Sequence, residues 1–177
     1  MAIFANENNI SLFPLLENEM ERIADESGIR LEFVNGIPIW EAFPGFQHQE
    51  KTLDIQISLR ENARRSHSYA CISVADLTIR FPDGSIKRPD ISIFCNRPIE
   101  QKTVCTQIPE AVIEILSRGY EKKDTEVSLP FYLAWNIPDI ALFNPETNRV
   151  SHYRDGQVDE YDSPVELTFA CGCRATI

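Results

Sequence analysis

Six consecutive residues, Ala111-Val112-Ile113-Glu114-Ile115-Leu116, are apolar on both alternating faces of an extended chain, with one carboxylate among them. A strand of that kind needs cover above and below, so it belongs inside a sheet flanked by other elements rather than on a one-sided surface sheet. Glu114 then lies where water is scarce. An ionised carboxylate there costs several kcal/mol unless a metal, a cation or several donors compensate. Asp90 poses the same problem in Arg88-Pro89-Asp90-Ile91-Ser92-Ile93-Phe94, a second strand-like segment. Two such acids on consecutive strand-like segments mark a candidate site.

The chain has 177 residues and 43% hydrophobic content, enough for one sizeable core, and residues 1–177 are read as one domain. The first nine residues lack a basic region followed by a long apolar run. Neither a signal peptide nor a membrane span is therefore expected, and a cytoplasmic location is. A net charge of -10 argues against a protein that coats nucleic acid, because such affinity rests on Lys and Arg neutralising phosphates. It leaves room for a nuclease, whose acidic metal ligands add negative charge beside a local basic groove. Five scattered cysteines, Cys71, Cys95, Cys105, Cys171 and Cys173, fit reduced thiols better than a disulfide framework. Cys171-Gly172-Cys173 resembles half of a zinc site, but no second Cys or His pair stands at a typical spacing, and small buried residues near a terminal turn are the plainer reading.

Residues 10–27 carry Leu12, Leu16, Met20, Ile23 and Ala24 near a 3.6-residue period, with Gly28 as the stop signal of a helix. Asn35-Gly36 suits a tight hairpin turn between strands at 29–34 and 37–40, and Pro38 puts the second near an edge. Residues 48–67 alternate like a strand at Leu53, Ile55, Ile57 and Leu59, yet their length and polar content favour a helix. Strands at 69–81 and 86–94 are expected to pair around Pro82-Asp83-Gly84-Ser85. Residues 123–135 read as mostly helical, with Pro130 beginning or kinking the helix. Strands follow at 139–143 and 149–153, a hairpin turns at Asp155-Gly156, and 165–169 is expected to complete the sheet. The order implies a mixed α/β (α+β) fold around one sheet.

Hydrolysing a phosphodiester requires a water made nucleophilic near neutral pH and a cation that stabilises the charge developing on phosphorus-bound oxygens; bound Mg2+ does both. Magnesium takes hard oxygen ligands and keeps several waters. Asp90 and Glu114 can supply two carboxylates and the backbone carbonyl of Ile115 a third ligand, while a nearby lysine orients the water.

Arg80-Phe81-Pro82-Asp83-Gly84, Arg88-Pro89-Asp90, the run from Pro109 to Ser117, Lys123-Asp124, and Tyr132 through Asn144-Pro145 occur here in order. With them the sequence resembles a large bacterial family of restriction-endonuclease-like proteins abundant in cyanobacteria, within the PD-(D/E)xK nuclease superfamily. The resemblance spans roughly residues 32–153. It implies a restriction-endonuclease-like core with flanking helices and extra β-hairpins, a helix at 48–67, and a divalent metal, Mg2+ or Mn2+, held by Asp90 and Glu114. It also implies Glu32 as a possible additional acid, DNA as the partner, and a homodimer as an assembly that cuts both strands. Two departures stand out. Leu116 occupies a place where the superfamily often has lysine, and Ser128 occupies the place four residues past Asp124 where many members of the family have one. The nearest lysines are Lys122 and Lys123, and Lys123 is preferred as the catalytic cation because the Lys123-Asp124 pair recurs in relatives.

Plainer readings stand beside these. Asp90 also fits a solvated residue after proline, and Glu32 and His48 fit exposed positions. Arg64-Arg65-Ser66-His67 fits either a phosphate contact or cations at a helix end. Trp40, Trp135 and Tyr132 fit core or interface aromatics. The expected function is metal-dependent hydrolysis of DNA phosphodiesters. The alternatives are a catalytically degenerate nuclease-fold module that binds or regulates, and a hydrolase of another phosphorylated or acidic substrate.

Overall fold

The computed structural model describes residues 13–65, 71–98 and 104–177. The first helix, α1, is Phe13–Ser27, and residues 10–12 of the sequence reading lie outside the described part. Gly28 ends it at φ +66°, a conformation glycine adopts without steric cost. Asn35 and Gly36 turn at φ 51° and 77° between β1 (Ile29–Val34) and β2 (Ile37–Ala42), the geometry a two-residue hairpin needs. The ambiguous segment is a helix, α2 (Phe46–Arg65).

The long hairpin expected over 69–94 is broken in two. Its strands are β3 (Ile72–Ala75), β4 (Ile79–Arg80), β5 (Ile86–Lys87) and β6 (Ile91–Phe94). The tip, β4 with β5, joins the first hairpin in a four-stranded sheet ordered β2-β1-β5-β4, and Pro38 lies on its edge strand as expected. The base, β3 with β6, joins a different sheet. The breaks face each other: Asp76 sits at φ 50° on one strand, Arg88-Pro89-Asp90 interrupts the other, and the Asp76 N–H donates to the Asp90 carbonyl at 3.2 Å. Pro89 has no N–H for a ladder, so the strand ends there. Residues 66–70, which include His67 of the basic cluster and the start of the expected strand, lie outside the described residues.

Strand β7 (Ala111–Ile115) is wholly buried. It runs antiparallel to β6 and parallel to β8 (Asp139–Asn144), within the order β10-β9-β8-β7-β6-β3, where β9 is Arg149–Arg154 and β10 is Gln157–Asp162. The connection from β7 to β8 carries a π-helical turn, Lys123–Ser128, that continues into α3 (Leu129–Ala134), with Pro130 at its start. Residues 165–169 do not complete this sheet. Glu166–Thr168 (β11) instead pairs with Arg174–Thr176 (β12) as a separate ribbon, because the backbones of Val165 and Ile177 bond each other both ways at 2.9 Å and bring the C-terminal residues alongside.

Period-2 alternation sorts the six-stranded sheet into two apolar layers. Ile91, Ile93, Ile113 and Ile115 meet Ile55 and Leu59 of α2 together with Leu167, Ala175 and Ile177. On the opposite face Val112, Ile140 and Leu142 meet Leu129, Phe131 and Tyr132 of α3. The cysteine expectation needs one correction. Cys71 and Cys173 are joined, with Cα atoms 5.7 Å apart, because the ribbon folds back against the start of β3. Among the described residues no helix is long and apolar enough to cross a membrane.

Asp139 opens β8 as a fully buried carboxylate. It accepts from His152 at 2.8 Å, Arg154 Nε at 2.6 Å and the Ala170 N–H at 2.7 Å. Burial opposes its ionisation, but His152, the Ala170 N–H and Arg154 outweigh that and hold it below the usual carboxylate range. A carboxyl whose folded value is depressed confers stability that is complete above its unfolded value, about 4, and is lost as pH falls through the folded value. Urea midpoints measured from about pH 6 to about pH 3 should therefore fall more steeply for the parent than for Asp139→Asn. The variant should also be less stable near neutrality, by about 1–3 kcal/mol.

Candidate active site

At the end of the sheet where β6 begins and β7 finishes, carboxylates stand in for ladder hydrogen bonds. The Ile115 N–H donates to Asp90 Oδ2 at 2.8 Å, and the Asp90 N–H donates to Glu114 Oε2 at 3.1 Å. Each acid thus caps the other's strand, which fixes both side chains and brings them together. Glu114 lies on the α3 face with Val112, and the Tyr132 hydroxyl donates to its Oε1 at 2.6 Å. His48, in the first turn of α2, reaches Asp90 Oδ2 with Nε2 at 2.9 Å, and Arg30 Nη1 is 3.4 Å from Oδ1.

The first hairpin closes the site. Along β1, Leu31 and Phe33 pack toward α1, so Arg30 and Glu32 point the other way, and register places Arg30 opposite Glu41. The sequence reading allowed Glu32 an exposed position. It is instead 1% exposed, takes the Arg88 N–H at 2.8 Å, and pairs with the Lys87 ammonium. Lys87, itself fully buried, also donates to Ser128 Oγ at 2.9 Å and lies 5.5 Å from the Tyr132 ring centroid. Ser128 is the helical position at which the resemblance would put a lysine, so an ammonium reaches that place from β5 instead.

Lys122 and Lys123 part company. Lys122 is exposed, whereas Lys123 turns inward, 10% exposed, with Nζ 2.9 Å from Glu41, 3.3 Å from Asp124 and 3.6 Å from Glu32. The π-helical turn makes this possible. Its closing bond runs from the Leu129 N–H to the Asp124 carbonyl, five residues back, and the widened turn carries Asp124 and Ser128 inward beside Lys123.

Glu32, Glu41, Asp90, Glu114 and Asp124 are all buried, against three permanent cations, Arg30, Lys87 and Lys123. With His48 protonated beside Asp90, full ionisation of the acids leaves one negative charge uncompensated. The strain falls unevenly. Burial and then the neighbouring Asp90 charge push Glu114 well above the usual carboxylate range. Burial opposes Asp90 too, but the His48 hydrogen bond, His48 charge and Arg30 outweigh it and hold Asp90 low. Glu32 falls to about 2 because Lys87 and Lys123 outweigh its burial. Asp124 rises to about 6, mainly from burial. Two buried polar atoms of residues touching Asp90 have no hydrogen-bond partner, Arg30 Nε and His48 Nδ1. Among the described residues no group of three or more His, Cys, Asp or Glu side chains is arranged to hold a metal ion.

Tyr132→Phe removes one hydrogen bond from a buried acceptor. It should lower stability by about 1–3 kcal/mol in urea unfolding while keeping the ring's packing.

Of the residues gathered here, Asp90, Glu114, Lys123, Glu32 and His48 are candidates named from the sequence. Sequence reasoning missed Arg30, Glu41, Lys87, Asp124 and the hydroxyl of Tyr132. A signal for one of these was present: Arg30, like Glu32, alternates with Leu31 and Phe33, and a strand covered on both faces makes such charges internal. Lys87 carried no signal, because its burial follows from the strand break at Pro89.

Among solved structures, "a putative nuclease belonging to DUF820 from Anabaena variabilis ATCC 29413" matches at 19% identity with a TM-score of 0.66, over 77% of this chain and 79% of that one. That likeness shows a shared mixed α+β fold of the restriction-endonuclease type. A DrdV–DNA complex matches over 64% of this chain and 12% of that chain, at 11% identity and a TM-score of 0.36, too slight a likeness to bear on the fold. No curated protein matches the sequence. A family model, Uma2, described as "Putative restriction endonuclease", matches residues 17–170, and the chain belongs to that family.

Proposed function

We propose that the protein is a divalent-metal-dependent endonuclease acting on DNA phosphodiesters, with Asp90 and Glu114 as the metal-holding acids and Lys123 as the cation beside the attacking water. The observation that carries this reading is the reciprocal capping that draws the two carboxylates together, in a buried cluster with more acids than cations. A donor set of carboxylates with the Ile115 carbonyl suits Mg2+ or Mn2+, hard ions that accept oxygen ligands and retain waters. Such an ion, when bound, supplies charge stabilisation at the phosphate and an acidified water.

The chain's own residues supply the rest. Asp90, kept ionised by His48, Arg30 and the Ile115 N–H, is a fixed acceptor. Glu114 is pinned from two sides by Tyr132 and the Asp90 N–H. Lys123 is held by Glu41 at the partly open rim, where it can meet a water or a phosphate oxygen. Arg30 Nε and His48 Nδ1 are unsatisfied groups beside Asp90 that a phosphate oxygen or a water would satisfy. Solvent reaches this centre through Asp90, His48, Glu41 and Lys123, whereas Glu114, Glu32 and Lys87 lie behind them.

The second reading, a degenerate module on the nuclease fold, draws on Leu116 and Ser128 where lysines are expected. One experiment separates the two. Purified protein with supercoiled plasmid and Mg2+ or Mn2+ should give nicked or linear DNA, and EDTA should abolish the product. Intact plasmid at every protein concentration, with no carboxylate-dependent Mn2+ heat in calorimetry, overturns the nuclease reading in favour of the module.

A further inference from the structure

We propose that the outward face of α2 pairs with the same face of a second copy of this chain, as an antiparallel helix pair about a two-fold axis. Leu53, Ile55, Ile57 and Leu59 alternate as a strand does, yet lie in a helix. Residues two apart on an α-helix point about 200° from each other, so the alternation splits these four between opposite sides. Ile55 and Leu59 go inward with Thr52 and Asn62, while Leu53 and Ile57 face outward, 56% and 46% exposed. Phe46, 82% exposed, begins the same outward line. Single apolar residues on a surface are ordinary. Three in one stripe give α2 a second apolar face, and this one is uncovered.

Charge along the stripe selects the occupant. In steps of four and three residues it reads Phe46, Glu50, Leu53, Ile57, Arg60, Arg64, all exposed, which is the spacing of a helix–helix seam. Glu50 stands in its first half and both arginines in its second. A parallel partner would set Glu50 against Glu50 and arginine against arginine. An antiparallel partner centred between Leu53 and Ile57 sets Leu53 on the second copy's Ile57, Glu50 on its Arg60, and the Phe46 ring under its Arg64. The two-fold axis makes each of these contacts twice. The stripe is therefore complementary to itself. Asp54, on the flank beside the axis, is held by Lys51 at 3.8 Å, so its charge does not meet its own copy bare. A groove of about 320 Å³ opens on that flank, beside Ile57 and Pro164, and the second copy's Leu53 is the side chain placed to enter it. His48 leaves α2 from the opposite side to reach Asp90, so pairing keeps the candidate active site open.

Three apolar side chains from each copy make a small interface of the transient class, so a dissociation constant on the order of 10 µM is expected. Sedimentation equilibrium of the full chain, with free thiols capped by iodoacetamide to exclude disulfide-linked species, should show a reversible monomer–dimer equilibrium between about 1 and about 500 µM. Leu53→Glu/Ile57→Glu alters only solvent-facing side chains. It should keep the parent's circular dichroism and remain monomeric throughout. Glu50→Arg and Arg60→Glu should each weaken association roughly tenfold, because each turns two attractive contacts repulsive. The double variant Glu50→Arg/Arg60→Glu should return to near the parent affinity. A parent that stays monomeric at the highest concentration overturns the proposal, a result that needs no variant to fold. So does a dimer indifferent to Leu53→Glu/Ile57→Glu, or one that the double charge swap fails to restore. These measurements use neither DNA nor metal, so neither result bears on the nuclease reading, which the plasmid and Mn2+ measurements decide.

Discussion

Asp90→Asn and Glu114→Gln should each lower Mg2+-dependent plasmid cleavage by on the order of 10³-fold, the scale of losing a principal charge-stabilising group. The two should differ in stability. Asp90 accepts from Ile115, His48 and Arg30 as an anion, so an amide there loses charge-assisted bonds and the urea midpoint should fall. Glu114 is buried beside another carboxylate, and removing its charge relieves the repulsion that pushes it upward. Glu114→Gln should therefore unfold at a higher temperature than Asp90→Asn while cleaving no better, a pattern common where function requires a destabilised group. Equal cleavage by the parent and both variants would remove these acids from the mechanism.

The largest loss of stability is expected from Lys87→Met. It leaves Glu32 buried with its principal partner gone, and breaking one side of a buried pair costs about 3–5 kcal/mol. That is a large part of the about 5–15 kcal/mol that holds a typical domain together, so the guanidinium unfolding midpoint should shift sharply. Glu32→Gln in the same chain should recover much of the loss, because the stranded charge goes with it. Ser128→Lys in the Lys87→Met background should recover stability by a different route, returning the ammonium to Glu32 from the helix. Lys87→Met as stable as the parent would mean that Lys123 alone balances Glu32.

How much of this was readable in the sequence depends on the range of the cause. Asp90 and Glu114 were legible because each sits in a local apolar pattern that a charge violates. The hairpin at Asn35-Gly36 and the buried strand at Ala111 were legible for the same reason, since period and turn chemistry are local, whereas the helix at Phe46–Arg65 had to be favoured on length against a strand-like alternation. Lys87 and Asp124 were not. Their burial depends on β1 and β5 meeting the segment at 123–128 and on a π-helical widening, and neither leaves a mark within a few residues. The Cys71–Cys173 bond failed for a related reason, joining residues 102 positions apart through a ribbon that the sequence pattern assigned to the main sheet. Lys123 falls between: the family resemblance pointed to it, and the turn that aims it inward was invisible.

The interrupted hairpin has a mechanical meaning. One pair of strands serves two sheets, so neither layer can slide without dragging the segment that carries Asp90. The gap at Arg88-Pro89-Asp90 is also where the in–out parity of the chain is reset between them. Lengthening the distal loop at 82–85 leaves that parity untouched, whereas one residue added between Lys87 and Ile91 would rotate the carboxylate out of alignment with Glu114. The tip of this ribbon is thus free to vary in length, and its waist is not.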